Sequence, residues 1–73
     1  MKKTANIYIK VGRRVIALRK AAHLTQERLA IKAGVDRAYI GRIERGEKRA
    51  SLEILDKIAE ALGVALFELL TLV

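Results

Sequence analysis

The 73-residue sequence contains neither cysteine nor proline and has a single histidine. Without cysteine there is no disulfide and no thiolate metal site, and one histidine offers little for metal binding or acid–base catalysis. No nucleophile–base pair is evident, so we expect no catalytic residue, no metal, no cofactor, no small-molecule ligand and no enzymatic activity. The absence of proline, together with abundant Ala, Leu, Ile, Lys, Arg and Glu, predicts an all-α chain.

Acidic residues and long apolar runs are also scarce. Eight Asp and Glu stand against fifteen Lys and Arg, and the longest run without a charged residue covers only residues 61–67. A membrane-spanning helix needs about 20 apolar residues, so we expect no membrane span, no signal peptide and a cytoplasmic location. Fourteen of the fifteen basic residues precede residue 51, against four of the eight acids. This polarity suits a protein that turns a positive face toward a polyanion and another face toward protein.

Two short amphipathic patterns meet at Gly34. Apolar residues three and four positions apart share one helical face before this glycine and one after it. They are Leu29, Ala30 and Ala33 in the first pattern and Val35, Ile40 and Ile43 in the second. The residues between Ala33 and Asp36 leave room only for a tight turn, which glycine enters without strain. The stretch therefore predicts a helix-turn-helix.

The polar residues of the second pattern, which follows Gly34, give this motif a candidate function. With Asp36 as the N-cap, the outward positions of the helix are Arg37, Ala38, Gly41, Arg42 and Arg45. An α-helix fits the major groove of B-DNA, where an arginine can donate two hydrogen bonds to guanine O6 and N7. The alternative is a cationic face that contacts only solvent.

The same periodicity predicts three further helices. Together the five helices cover residues 6–22, 25–32, 36–44, 51–62 and 65–71 of one compact domain over residues 1–73. Thr25 is expected to cap the second helix and Ser51 to begin the fourth, while His23 is expected in the left-handed conformation at the end of the first. Gly12 marks either a close contact between helices or a region of lower local stability.

The C-terminal segment carries more apolar surface than one face of a short helix needs. Leu69 and Val64 can complete the core of the domain. The residues from which the exposed apolar surface is expected are Leu66, Phe67, Leu70 and Leu72. Because exposed apolar patches commonly form interfaces, we expect a homodimer that presents two recognition helices to successive major grooves, about 34 Å apart. The alternative is a terminal helix that packs entirely on its own domain.

The spacing of these residues resembles the phage-repressor (Xre/Cro) family of helix-turn-helix proteins. The matching pattern is Gln26-x-x-Leu29-Ala30-x-x-Ala33-Gly34-Val35, then Ile40-x-x-Ile43-Glu44-x-Gly46, then Leu52-x-x-Leu55-x-x-Ile58-Ala59-x-x-Leu62-Gly63-Val64. The run from Asp36 to Leu52 is most similar to the small controller proteins of restriction–modification systems. The resemblance implies a five-helix, lambda-repressor-like DNA-binding domain. It further implies a sequence-specific transcriptional regulator that binds a palindromic operator in double-stranded DNA as a dimer.

The resemblance and the outward pattern together imply roles for individual residues. Base contacts are expected from Arg37, Ala38, Gly41 and Arg42, and backbone contacts from Gln26, Arg28, Tyr39, Arg45, Lys48 and Arg49. The alternative for Gln26 is a solvated residue in the first turn of its helix. The alternative for Tyr39 is a partly buried side chain that packs against the domain. Arg19 and Glu44 match a pair that bridges the first helix to the end of the third, for which we expect a structural role.

Three residues depart from the family pattern. Arg28 replaces the usual acid of a capping box, Ala50 stands where proline is common, and Ala65 removes the usual cap of the last helix. We therefore expect a less well capped second helix and a less firmly fixed loop and C-terminal helix. The apolar C-terminal segment motivates an alternative function, an antitoxin-like or other protein-interaction module with secondary DNA binding.

Overall fold

Five α-helices are present in residues 7–71, the part of the chain that the structure, a computed structural model, describes. They are α1 (Ile7–Ala21), α2 (Gln26–Ala33), α3 (Arg37–Glu44), α4 (Leu52–Leu62) and α5 (Leu66–Leu69). No strand occurs among these residues, and the predicted all-α five-helix fold is confirmed. The observed helix ends differ from the predicted ones by at most two residues. Asn6, where the first helix was predicted to begin, lies outside the described residues.

One apolar core joins all five helices. The largest fully buried side chains are Val15, Leu29, Ile40, Ile58 and Leu69, one from each helix in chain order. Burying a side chain of this kind contributes about 1.5–3 kcal/mol to folding. Because each helix must turn its apolar stripe toward this core, the opposite face of each helix is left at the surface.

Hydroxyl side chains cap two of the helices as expected. Thr25 Oγ1 accepts a hydrogen bond from the Arg28 backbone N–H at 3.0 Å, and Ser51 Oγ accepts one from Ile54 at 3.2 Å. These bonds satisfy N–H groups that the start of a helix leaves without a partner. Asp36 has the extended backbone of an N-cap but makes no side-chain capping hydrogen bond.

Left-handed residues follow the ends of α1, α2 and α4. His23 has a φ of 59°, as the sequence predicts, and the Leu24 N–H beyond it donates to the Arg19 carbonyl at 3.1 Å. Gly34 and Gly63 end α2 and α4 with φ of 72° and 75°. In each case the turned-back N–H groups satisfy carbonyls that the last helical turn leaves free.

Two glycines allow α1 to pack directly against the end of α3. A Cβ atom on Gly12 would lie 2.7 Å from the carbonyl oxygen of Glu44. Gly46 has a φ of 75°, and a Cβ atom added to it would lie 2.8 Å from the Ile9 Cα. Of the two explanations open for Gly12, the close contact between helices is therefore the correct one.

α5 is short and only partly capped. The Ala65 N–H donates to Glu68 Oε2 at 3.1 Å, but alanine offers no side-chain acceptor in return. Arg14 Nε donates to the Glu68 carbonyl at 2.7 Å, and this bond ties α5 to α1. Within residues 7–71, no helix combines the length and the apolar character needed to cross a membrane.

Candidate nucleic-acid interface

The turn at Gly34 sets the position of α3. The Val35 N–H donates to the Ala30 carbonyl at 3.0 Å and the Gly34 N–H to Ile31 at 3.3 Å, which closes α2 before the chain enters α3. Ile40 and Ile43 then insert into the core. The other side of α3 is consequently at the surface.

Three of the four residues predicted on the outer face of α3 for base contacts are exposed there: Arg37, Ala38 and Arg42. Gly41 is buried, so its predicted outward placement is wrong, and with it the basis for a direct base contact by this residue. The reason is that Arg45 folds back over the glycine, with Nη1 3.2 Å from the place where a Gly41 Cβ would stand. A side chain from the next helical turn thus covers the surface that Gly41 leaves open.

Arg45 is held in this position by Glu47. Arg45 Nε donates to Glu47 Oε2 at 3.0 Å, and both side chains are more than half exposed. The hydrogen bond, followed by the charge of the carboxylate, raises the pKa of Arg45. The same hydrogen bond lowers the pKa of Glu47 against a smaller effect of desolvation, and the positive charges of Arg45 and Arg42 lower it further.

A buried polar cluster joins the end of α3 to α1 and α2. Glu44 is only 6% exposed, and its two carboxylate oxygens accept hydrogen bonds from Arg19 Nε at 2.6 Å and Nη2 at 3.2 Å. Gln26 Nε2 donates a third bond to Glu44, at 2.8 Å. Arg19 Nη1 also donates to the Leu24 carbonyl at 2.8 Å. These bonds provide the partners that a buried carboxylate requires.

Gln26 is therefore partly exposed on α2 and also bonded to Glu44 of α3. For this side chain the family resemblance implies a contact to the DNA backbone, and the alternative was a solvated residue. Neither gave any sign of the bond to Glu44. That bond fixes the amide nitrogen and directs the Gln26 side chain toward α3. Arg28, two residues further along the first turn of α2, is exposed.

Two aromatic rings lie against cations of the loop between α3 and α4. Lys48 Nζ is 5.3 Å from the centre of the Tyr39 ring, and Arg49 Cζ is 5.7 Å from the centre of the Tyr8 ring. Both distances allow a cation–π attraction. Tyr39 is half-buried and packs against the core. Tyr8 was not singled out from the sequence, because no periodicity relates the first turn of α1 to this loop.

The residues expected in a dimer interface differ in exposure. Phe67 is 70% exposed and Leu70 38%, whereas Leu66 is half-buried and packs against the core. Leu72 lies outside the described residues. α5 therefore completes its own domain through Leu69 and still leaves an apolar surface patch, formed by Phe67 and Leu70.

The surface around α3 carries many basic groups. The basic residues of α2, α3 and the following loop that reach the surface are Arg28, Lys32, Arg37, Arg42, Arg45, Lys48 and Arg49. Across residues 7–71, no group of three or more His, Cys, Asp or Glu side chains could hold a metal ion. Guanidinium and ammonium groups bind phosphates and the acceptor edges of guanine. The chemistry available at this surface is thus recognition of an anion or of nucleic acid.

Known proteins are similar to this chain in sequence and in fold. A family model described as helix-turn-helix matches residues 15–69. The chain is 46% identical over 54 residues to the immunity repressor protein of Bacillus phage phi105. The matched region covers 74% of this chain but only 38% of that protein. It is 40% identical over 62 residues to the control protein C.BamHI of Bacillus amyloliquefaciens, with 84% of this chain and 76% of that protein covered. The crystal structure of the restriction-modification controller protein C.AhdI from Aeromonas hydrophila matches with a TM-score of 0.84 and 44% identity, over 85% of this chain and 94% of that one.

Proposed function

The chain belongs to the helix-turn-helix family of DNA-binding transcriptional regulators, and we propose that it binds a palindromic operator as a homodimer, with α3 in the major groove. The observation that carries this proposal is the exposed outer face of α3. Arg37 and Arg42 extend from it, and Ala38 between them is small enough to let the helix approach the base edges. Arginine is the side chain best suited to reading guanine in that groove.

Contacts to the DNA backbone are assigned to residues around α3. Lys48 and Arg49 lie in the loop after α3, where the rings of Tyr39 and Tyr8 support them. Arg28 stands in the first turn of α2, where a cation opposes the helix dipole by about 0.3–1 kcal/mol unless an anion is bound nearby. A phosphate beside the start of α2 would remove that cost, and Gln26 in the same turn could donate to it. If a dimer makes about 6–10 phosphate contacts, log K should fall with log salt by about 0.9 per contact.

Dimerisation is assigned to the patch of Phe67 and Leu70. Phe67 lies on α5 and Leu70 directly follows the helix, three positions later, and both side chains remain at the surface of the domain. In a two-fold dimer each patch would contact the same patch on its partner. Two copies of α3 would then face half-sites about 34 Å apart, so the operator should be palindromic.

A role as controller of a restriction–modification system is the more specific part of the proposal. The control proteins C.BamHI and C.MunI are each 40% identical to this chain, which covers 76% and 88% of their lengths. The phage repressor, by contrast, is matched over little more than a third of its length. The two relatives from phage phi105 and Bacillus amyloliquefaciens are an immunity repressor and a control protein, and the function that we propose for this chain involves no catalytic step. Its site of action would be the cytoplasm.

Selection of duplexes from a random pool, followed by titration and sedimentation of the isolated chain, tests the proposal. We expect a homodimer that prefers the selected operator over random duplex by about 1,000-fold or more. If no duplex is preferred, or if binding requires a second protein that co-purifies, the alternative of a protein-interaction module is correct. The exposed Phe67 and Leu70 would then be the surface for that partner.

A further inference from the structure

Arg45 lies on the outer face of α3 although it stands at the end of the helix. Side chains on a helix lean toward its N-terminus, so residue 45 covers the turn that contains residue 41. Because Gly41 has no side chain, the Arg45 guanidinium can occupy that space, with Nη1 3.2 Å from the position of a Gly41 Cβ. The Gln26 amide of α2 is 3.9 Å from the same point. The Arg45 guanidinium and the Gln26 amide thus both lie close to the place that a Gly41 side chain would occupy.

The two edges of this guanidinium have different surroundings. The edge that carries Nε is occupied, because Nε donates to Glu47 Oε2 at 3.0 Å. No hydrogen bond joins Nη1 or Nη2 to any residue between 7 and 71. The carboxylate therefore fixes the orientation of the planar group and leaves its two terminal nitrogens available as parallel donors.

A neighbouring carboxylate disfavours one class of ligand for this group. A phosphate approaching Arg45 would also approach Glu47, and two like charges at short distance repel each other. The O6 and N7 atoms of guanine are neutral acceptors and accept two parallel N–H donors from an arginine. The arrangement of Arg45 beside Glu47 is accordingly better matched to a base edge than to the DNA backbone.

We propose that Arg45 reads a guanine of the operator through Nη1 and Nη2, and that Glu47 and Gly41 are positioning residues for this contact. The inference rests on the proposed operator binding and adds a base contact to those of Arg37 and Arg42. It also replaces the backbone contact that the family resemblance implies for Arg45. The predicted consequence is a position in each half-site whose readout depends on Arg45.

Arg45→Ala and Arg45→Lys test the base contact on a panel of operators that each carry one base-pair change. Wild-type protein should discriminate the critical guanine by about 5- to 150-fold. Arg45→Ala should lose this discrimination and keep it at all other positions. Arg45→Lys, which keeps the charge but not the two parallel donors, should lose the same discrimination while it retains most of its affinity for random duplex.

Arg49→Ala is the matched control, because Arg49 is assigned to the backbone and should weaken binding to every duplex alike. If Arg45→Ala instead behaves as Arg49→Ala does, with discrimination intact at every base pair, Arg45 is a backbone contact and the inference is wrong. Operator binding itself would remain established by the wild-type protein in that case. A wild-type protein that prefers no duplex would remove both the proposed function and this inference.

Glu47→Gln and Gly41→Ala test the positioning roles separately. Glu47→Gln removes a negative charge near the DNA, so affinity for random duplex should rise, yet discrimination at the critical guanine should fall several-fold. If the role of Glu47 is purely electrostatic, Glu47→Gln will raise affinity for all duplexes and leave discrimination unchanged, which would contradict the assignment.

Gly41→Ala should displace the Arg45 guanidinium and reduce the same discrimination without lowering the midpoint of thermal unfolding. Full discrimination in this variant would exclude a role for Gly41.

Discussion

Gly12 and Glu44 are in contact through their backbones, because a Cβ atom on Gly12 would lie only 2.7 Å from the Glu44 carbonyl oxygen. The middle of α1 therefore rests directly on the last turn of α3. Further along α1, Arg19 forms an ion pair with the side chain of the same glutamate. α3 is thus fixed to α1 by a backbone contact and by an ion pair, both at Glu44.

Gly12→Ala should destabilise the protein by about 1–3 kcal/mol, because the new methyl group overlaps with backbone atoms that cannot move freely. Helix propensity alone predicts the opposite sign, since alanine is favoured over glycine by about 1 kcal/mol within a helix. Urea unfolding followed by circular dichroism measures the difference. Lys10→Ala, an exposed change on the same helix, is the control and should alter stability by less than about 0.5 kcal/mol. A more stable Gly12→Ala protein would show that α1 and α3 are not in such close contact.

Arg19→Ala should cost about 3–5 kcal/mol of stability, because it leaves the buried Glu44 carboxylate with Gln26 as its remaining side-chain partner. Replacing both partners, as Arg19→Met with Glu44→Leu, should cost less than the single change. Wild type, Arg19→Met, Glu44→Leu and the variant that carries both changes form a double-mutant cycle in urea unfolding. A cycle without coupling would mean that the Arg19 and Glu44 side chains do not interact in solution.

The Glu47 carboxyl should titrate below the usual glutamate range, because it accepts a hydrogen bond from Arg45. A group whose pKa is lowered by folding stabilises the folded state above its unfolded pKa, and this contribution is lost as the pH falls through the folded pKa. An NMR titration of the side-chain carboxyl carbons measures the pKa of Glu47 directly. In Arg45→Gln the pKa of Glu47 should rise toward its ordinary value. If the pKa of Glu47 is the same in both proteins, the ion pair does not persist in solution.

Phe67→Ser should dissociate the proposed dimer, because it removes most of the apolar surface of the patch that Phe67 forms with Leu70. Ile31→Ser is a matched control: Ile31 is 67% exposed on α2 and Phe67 70% on α5, so the two changes remove exposed apolar side chains from different surfaces. Sedimentation equilibrium should show a monomer for Phe67→Ser and a dimer for Ile31→Ser, with both proteins folded. Dimers in both variants would place the interface elsewhere.

The fold and the motif could be predicted because burial on one helical face leaves a periodic pattern. Leu29, Ile40 and Ile58 were predicted inside and are buried. Local chemistry likewise predicted the Thr25 cap and the left-handed His23. Each of these features depends on residues within a few positions of one another.

The details of the basic surface depend on residues that come together only in the folded chain. The helical pattern of α3 assigns each residue to a face from its position alone. It could therefore not show that the Arg45 side chain covers Gly41. The bond from Gln26 to Glu44 and the cation–π contact of Arg49 with Tyr8 join segments with no shared periodicity. Such contacts are set by the packing of helices and are not evident from the sequence.

Comparison of Arg37→Ala with Arg49→Ala on the selected operator and on a random duplex tests most directly whether α3 reads DNA sequence. Arg37→Ala should weaken operator binding by about 1–3 kcal/mol and relax the preference at one base pair, while binding to random duplex changes little. Arg49→Ala should weaken both duplexes to a similar extent. An equal loss on operator and random duplex for Arg37→Ala would contradict a reading role for this helix.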